Sequence, residues 1–374
     1  MFENDKRIVM TLDAGGTNFV FSAFEGGKEV LAPICLPSVP DNIEKCLEQL
    51  VKGFKQVENL LAEKPCAISF AFPGPADYQH GIIGDLSNFP AFRGGVALGP
   101  FLSKVFDLPV YINNDGNLYA YGEALCGNLQ DINQNLKSRG SSRQYHNLIG
   151  VTLGTGFGCG VVVDGVLLTG DNGCGGDMWL MRNSQYPSMI AEESVSIRGI
   201  QRMYQEYAQQ DASNLTPKDI FDIAEGTKNG VREAAVKAFH QFGEVAGDAI
   251  VHALDIVDGL VVLGGGVSKA HKYILPGILE ELHRHFQTFK NDSFPCLQMQ
   301  VYNLTDPEEA DAFYRDESVG VQVPGYPDIV PYIEKRKVGI SISAVGANRA
   351  IALGAYSYAL QQIDKNHLNS KSHE

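Results

Sequence analysis

The chain has one tryptophan in 374 residues, and its seven cysteines (35, 46, 66, 126, 159, 174 and 296) include no CxxC pair. Scattered, odd-numbered cysteines give neither a disulfide framework nor a zinc ribbon, and they fit a reducing cytoplasm. Positive charge is scarce: 30 Lys and Arg against 44 Asp and Glu, a net charge of −14. A surface of that sign repels polyanions, so a nucleic-acid partner is not expected. A nest of N–H groups with Mg²⁺ can still hold the phosphates of ATP on an acidic protein. Long apolar runs are missing too. The start, "MFENDKRIVM", has no signal core, so secretion is not expected. The most apolar stretch, "AIVHALDIVDGLVVLGGGV", is interrupted by His252, Asp255 and Asp258, which excludes a membrane span there.

Glycine is abundant, with 40 residues. "IVMTLDAGGTNFVFSAF" reads as strand, glycine turn, strand, and "KEVLAPICLP" as a possible third strand. Apolar spacing predicts a helix over 41–62, and "CAISFAFPGPAD" a buried strand ending in a Pro-Gly-Pro turn. "VYINNDGNLYAYGEALCG" predicts a short strand, a polar turn and a helix starting near 114–117. Residues 129–146 are polar and predict an exposed loop. Helices are expected over about 189–210 and 230–254, then a buried strand breaking at Gly264, Gly265 and Gly266. Residues 286–338 read as irregular, and the end, "GANRAIALGAYSYALQQI", as a small-residue helix.

"VTLGTGFGCGVVVDG" places four glycines in seven positions between two apolar runs. Glycine weakens a strand, so a sharp turn or a close approach to the backbone is implied. No Lys follows in Walker spacing, and the glycines open a strand rather than the helix of a dinucleotide fingerprint. A hairpin phosphate clamp remains. Setting Thr11 against Thr152, an offset of 152 − 11 = 141, also aligns Leu12 with Leu153 and Gly15 with Gly156. Two related α/β halves, each with a glycine hairpin, are expected.

That layout is similar to the sugar kinase, Hsp70 and actin superfamily. The chain most resembles its ROK branch (repressors, open reading frames, kinases). "LDAGGTNFVFSAF" resembles the first phosphate motif and "VTLGTGFGCGVVVDG" the second. "INNDGNLYAYGEA" resembles the catalytic turn NDANxxAxGE, "GLVVLGGGVS" the adenosine motif, and "NFPAF" after "FPGPAD" the sugar-side loop. The resemblance covers about residues 8–270 well and the last helix loosely. It implies an α/β fold of two actin-like (ribonuclease H-like) domains with a central cleft. The smaller is expected over 1–120, with a helix at 345–365 packing back on it, and the larger over 121–344.

The resemblance implies ATP-dependent phosphorylation of a hexose, at the C6 hydroxyl, with glucose as the first choice of sugar. Asp115 would be the general base, although Asn113, Asn114 and Asp115 also suit a plain helix cap. Asp13 would orient the Mg²⁺ of ATP, possibly through water, or merely form an Asx turn. Gly15, Gly16, Thr17 and Asn18 would meet phosphate from the first hairpin, and Gly154, Thr155 and Gly156 from the second. Gly264, Gly265 and Gly266 would admit adenine and ribose, or simply turn the chain. Gly74, Asn88, Asn114, Asp177 and Glu192 are the sugar-side candidates, with Glu193 one residue from the last.

The chain departs from the family at one segment. Where members carry GExGH, this sequence reads "GDMWL", so Leu180 stands in place of the His and Trp179 in place of the Gly. The cysteines of the family's zinc segment are missing with that His, and no structural zinc is expected. His283 and His285 in "LHRHF" read as a solvated helix face rather than a replacement site. A family repressor would need a helix-turn-helix ahead of the first motif, which begins within about ten residues of Met1. A sugar-binding sensor with reduced or no kinase activity is the alternative. A cytoplasmic homodimer away from membranes is the expected setting.

Overall fold

The computed structural model describes residues 2, 4–74, 76–84 and 89–371, with side chains to 368. The chain divides into two compact α/β units. The first comprises Met1–Gly127, Val166–Gly176 and Val345–Glu374; the second comprises Asn128–Gly165 and Asp177–Ala344. Among the described residues no helix is long and apolar enough to cross a membrane.

In the first unit, strand Val9–Ala14 pairs antiparallel with Asn18–Glu25 and parallel with Ala67–Ala71, which in turn pairs parallel with Val110–Asn113. Side chains alternate between faces, as the strand period requires. Met10 and Leu12 enter an aromatic core with Phe21, Phe54 and Phe70, while Val9 faces the opposite side with Tyr356 and Leu360. Helix Ile43–Leu60 covers the aromatic face through Leu50, Phe54 and Val57, spaced as an amphipathic helix demands. The expected third strand is two pieces, Lys28–Glu29 and Ile34–Pro37, both pairing with Asn18–Glu25. Pro33 lies in the gap, where its missing N–H cannot serve a ladder.

The opposite face is covered by helices Asp115–Cys126 and Ala347–Lys371. They cross with backbones almost touching. A Cβ on Gly122 would collide with the Ala350 carbonyl, and one on Gly354 with the Leu118 carbonyl.

The second unit's sheet runs Phe157–Val163, Leu148–Leu153, Leu260–Gly264, Lys337–Ile342 and Gln300–Asn303. Only the first pair is antiparallel. Helix Arg232–Val257 packs on helices Ile197–Ala208 and His271–Leu282 and contributes Phe242, Ala246 and Ile250 to the core. The two glycine hairpins share a form, but their last paired residues before the turn are Ala14 and Leu153, an offset of 153 − 14 = 139. The slip of two from 141 preserves side-chain alternation.

Four sequence readings need correction here. Residues 129–146 are not a loop throughout: Asn128–Ser138 is a helix that buries Leu129, Ile132 and Leu136. Its polar residues hide a sparse i, i+3, i+7 stripe. The helix expected from 189 starts at Ile197, where Ser196 Oγ accepts from Gly199 N–H at 3.3 Å; a single 3-10 turn, Ala191–Glu193, precedes it. The 286–338 segment is not irregular throughout. It holds strand Gln300–Asn303, helix Pro307–Tyr314 and two exposed hairpins, His285–Gln287 with Ser293–Pro295 and Val319–Gln322 with Ile329–Tyr332. His285 thus lies on a strand and His283 at a helix end, both exposed, not on one helix face.

The glycine crossing generates a prediction. Overpacking usually costs 1–3 kcal/mol, and carbonyl groups of two helix backbones cannot rotate away. Gly354→Ala should therefore lose about 3 kcal/mol or more in urea unfolding. A loss below about 1 kcal/mol would show that the helices separate freely.

Candidate active site

Asp115 sits where strand Val110–Asn113 becomes a helix after one intervening residue. Asn114 is the cap: its Oδ1 accepts from Gly116 N–H at 2.8 Å. Behind it, buried Asn113 Oδ1 accepts from Asn114 N–H at 2.8 Å and from Asn117 Nδ2–H at 3.0 Å. The turn is thus fixed from both sides, by Asn113 and by Asn114. Asp115 Oδ1 accepts from Gly116 N–H at 2.9 Å; among the described residues no hydrogen bond reaches Oδ2. The side chain is open on one side yet crowded by protein on the others. That desolvation raises its pKa, against the lowering pull of the Gly116 and Asp115 N–H groups.

Asp13 lies at the end of strand Val9–Ala14, exposed at its tip. Desolvation raises its pKa and the charge of Asp115 raises it further. Neither carboxylate has an ion-pair partner among the described residues. Two carboxylates that feel each other without a cation form a donor set suited to Mg²⁺.

The first hairpin turn is closed by Gly15 N–H donating to the Asn18 carbonyl at 3.0 Å. It is pinned by fully buried Ser38, whose Oγ donates to the Gly16 carbonyl at 2.6 Å and whose N–H donates to the Thr17 carbonyl at 3.0 Å. The second turn is closed by Gly154 N–H donating to the Gly156 carbonyl at 3.1 Å. Ile197 N–H donates to the Gly154 carbonyl at 3.0 Å. Glu192 Oε2 accepts from Phe157 N–H at 3.0 Å, while its Oε1 takes the Arg198 guanidinium at 3.0 Å. The Glu193 carboxylate also accepts from that Arg198, at 2.9 Å. Sequence reasoning missed Ser38, Phe157 and Arg198 as supports. Ser38 carries no local signal, because its role comes from strand pairing across 22 positions.

The glycines divide by physical need. Gly15 is forced, since a Cβ would lie 2.8 Å from the Asn18 carbonyl oxygen. Gly265 is forced by a φ of +89° and by the Leu153 backbone beneath it. Gly16, Gly154 and Gly266 are different: a Cβ at each would meet nothing within 4 Å, and none has a positive φ. Neither packing nor conformation of the chain explains them. The N–H groups of Gly16, Thr17 and Thr155 also find no backbone acceptor among the described residues. Gly264 ends its strand fully buried.

On the sugar side, Gly74 is exposed, with Tyr78 Oη 3.1 Å from where its Cβ would be. Asn88 lies outside the described residues. Asp177 is exposed and precedes a 3-10 turn, Met178–Leu180, in which Trp179 is 36% and Leu180 52% exposed while Met178 is buried. Trp179 is therefore not a core residue. The structure brings Asp13, Asn114, Asp115 and the first hairpin together in the first unit. The second hairpin, Gly264–Gly266, Asp177 and Glu192 belong to the second.

Comparison with known proteins follows the same lines. The glucokinase of Parabacteroides distasonis has a crystal structure that superposes with a TM-score of 0.88 at 56% identity, covering 96% of this chain and 99% of that one. The glucokinase of Thermotoga maritima is 26% identical over 287 residues, 72% of this chain and 85% of its own. The N-acetyl-D-glucosamine kinase of Vibrio parahaemolyticus is 26% identical over 277 residues, 69% of this chain and 83% of its own. The sequence profile of the ROK family matches residues 9–303, and with two α/β units of the actin-like kind this chain belongs to that family.

Proposed function

We propose that this protein phosphorylates a hexose with ATP, with glucose as substrate and the C6 hydroxyl as acceptor. The observation that carries the reading is the set of unforced glycines, Gly16, Gly154 and Gly266. Their backbones leave room that the protein does not fill, beside amides without acceptors. Such amides suit phosphate oxygens. The 56%-identical relative is named a glucokinase, which supports glucose over N-acetylated sugars.

Asp115 Oδ2 accepts the proton of the attacking hydroxyl, and Asn114 orients the sugar beside it. A raised pKa brings the carboxylate nearer the basicity a general base needs. Mg²⁺ bound with ATP neutralises phosphoryl charge; Asp13, unpaired and crowded by the charge of Asp115, would hold it through water. The amides of Gly16, Thr17 and Thr155 hold phosphate oxygens. Glu192 supports the second hairpin through Phe157 and keeps Oε1 toward Arg198, so its part in sugar recognition would require leaving one of these bonds. A sugar-binding sensor of the same family is the second reading, favoured by one observation: exposed Leu180 brings no hydrogen-bonding group to the position of the family His.

Asp115→Asn decides between them. A general base contributes roughly 10²–10⁴-fold, so kcat in a coupled ADP-release assay should fall by that factor with sugar affinity kept. Wild-type protein binding glucose without turnover would select the sensor. Activity should rise with pH through the raised pKa of Asp115, because the ionised form is the base. Stability runs the other way. An unfolded Asp ionises near 3.8 and the folded Asp115 later, so the native state holds more protons in that window and loses stability as pH rises through it. Asp115→Asn should therefore raise Tm at neutral pH and lose that advantage below the ordinary carboxylate range; a lower Tm at neutral pH would contradict the desolvation argument.

Gly156→Ala tests the hairpin separately. The new Cβ would lie 2.5 Å from Glu192 Oε2, the movable end of a side chain. Stability should change by less than about 1 kcal/mol, because that carboxylate can swing away. The KM for ATP should rise, since the swing breaks the bond that holds Phe157. An unchanged KM would remove the second hairpin from the ATP site.

A further inference from the structure

Helices Arg232–Val257 and His271–Leu282 of the second unit cross on glycine. A Cβ on Gly243 would strike the Ile274 carbonyl, and one on Gly277 the His240 carbonyl. The backbones touch at both points, so side chains beside the crossing hold fixed relative positions. Three metal-ligating side chains stand there. His240 and Glu244, four residues apart, share one face of the first helix, and Glu280 comes from the second, three residues beyond Gly277.

His240 Nε2 lies 3.3 Å from Glu280 Oε1, and His240 Nδ1 lies 3.7 Å from Glu244 Oε1. One ring nitrogen and one oxygen of each glutamate fall within 4.8 Å of one another. Around a tetrahedral zinc ion, ligand atoms stand about 3.3 Å apart. Rotation of Glu280, whose side chain is 62% exposed, can close that difference. Gln185 Nε2–H donates to Glu244 Oε2 at 3.4 Å and holds that carboxylate with Oε1 toward the ring. A supporting bond of this kind orients a ligand before the metal arrives.

Ion pairing alone leaves the group unsatisfied. A neutral imidazole carries one N–H, so it donates to one glutamate and turns a lone pair toward the other. Both carboxylates are served only by a second proton on the ring or by a cation. Negative charge is in excess here. Buried Glu281 lies at the same crossing, against Gly247. Its pKa is raised by desolvation first and also by the charges of Asp248, Glu244 and Glu280, against the pull of Arg284. Arg284 pairs with Glu281, and among the described residues no Lys or Arg pairs with Glu244, Asp248 or Glu280. One imidazole and two carboxylates, without a thiolate, suit Zn²⁺ or a similar divalent first-row ion, whereas Mg²⁺ and Ca²⁺ prefer oxygen alone.

We propose that His240, Glu244 and Glu280 form a binding site for a divalent transition-metal ion of the zinc type, completed by water, which clips the two helices together beside their glycine contact. The site is unrelated to the zinc segment of the family, whose cysteines this chain lacks. None of the sugar or phosphate candidates belongs to it, so it stands or falls separately from the proposed kinase reaction.

Calorimetric titration of the full chain with Zn²⁺, after removal of metal by a chelator and without nucleotide, tests the site. The wild type should bind one ion more per chain than His240→Ala. Loss of a residue that merely supports a ligand costs roughly 10–100-fold in metal affinity, so Glu280→Gln should weaken that ion by no less. Zn²⁺ should raise the Tm of the wild type and leave that of His240→Ala in place, because only the native crossing assembles the ligands. Anomalous scattering at the zinc edge from a soaked crystal should place the ion between the three side chains. Equal binding by wild type and His240→Ala would overturn the proposal by assigning the ion to a cysteine or to Asp13 and Asp115, and so would an absence of binding. If His240→Ala loses its circular dichroism spectrum, Glu280→Gln decides, since it changes an exposed side chain. Glu280→Gln should also leave kcat with glucose and Mg·ATP unchanged. Zinc bound here by a wild type that lacks kinase activity would remove the kinase reading and keep this site.

Discussion

Two helices of the first unit meet backbone to backbone, and the position of the candidate base depends on that contact. Gly122 and Gly354 each face a carbonyl of the opposite helix, so neither helix can slide or rotate without a clash. Helix Asp115–Cys126 is thereby fixed relative to helix Ala347–Lys371, which itself lies on strands Val9–Ala14 and Ala67–Ala71. At its N-terminus Asn114 is bonded from both sides. A helix N-terminus favours a negative charge by 0.3–1 kcal/mol, less than one pKa unit. The pKa of Asp115 is nevertheless raised, so desolvation outweighs the helix end and its N–H bonds.

The two glycine hairpins reach a similar turn by different supports. The first is held from its neighbouring strand, through Ser38. The second is held from a helix start and a carboxylate, through Ile197 and Glu192. Supports of unlike origin leave the tips alike: short turns with unmatched amides and glycines that the fold does not require. A tip that is rigid at its base and unfilled at its crest can receive a charged group with little reorganisation, which is what electrostatic stabilisation of a transferring group needs.

Legibility in the sequence followed the strength of local signals. Hairpins, the buried strand Leu260–Gly264 and the Asn-Asp turn were readable because glycine, alternation and capping residues act within a few positions. Helix Asn128–Ser138 was not, because three apolar residues among polar ones fall below a periodicity signal while still burying one face. The helix starting at Ile197 was read as beginning eight residues early, since Met189 and Ile190 continue the apolar spacing although the chain there makes a turn first. Ser38 and Phe157 act through tertiary hydrogen bonds, which no window of sequence contains. The glycines carried an ambiguity that only three dimensions resolve: Gly15 and Gly265 serve the fold, while Gly16, Gly154 and Gly266 do not.

Desolvation makes both Asp13 and Asp115 costly to ionise, the charge of Asp115 adds to that cost at Asp13, and no cation among the described residues pairs with either. A fold selected only for stability would replace one by its amide, because an unpaired, crowded carboxylate weakens the native state wherever it is ionised. Retaining both makes sense where a cation arrives with the substrate. Binding of a metal–nucleotide complex would then favour the ionised forms that the empty fold disfavours.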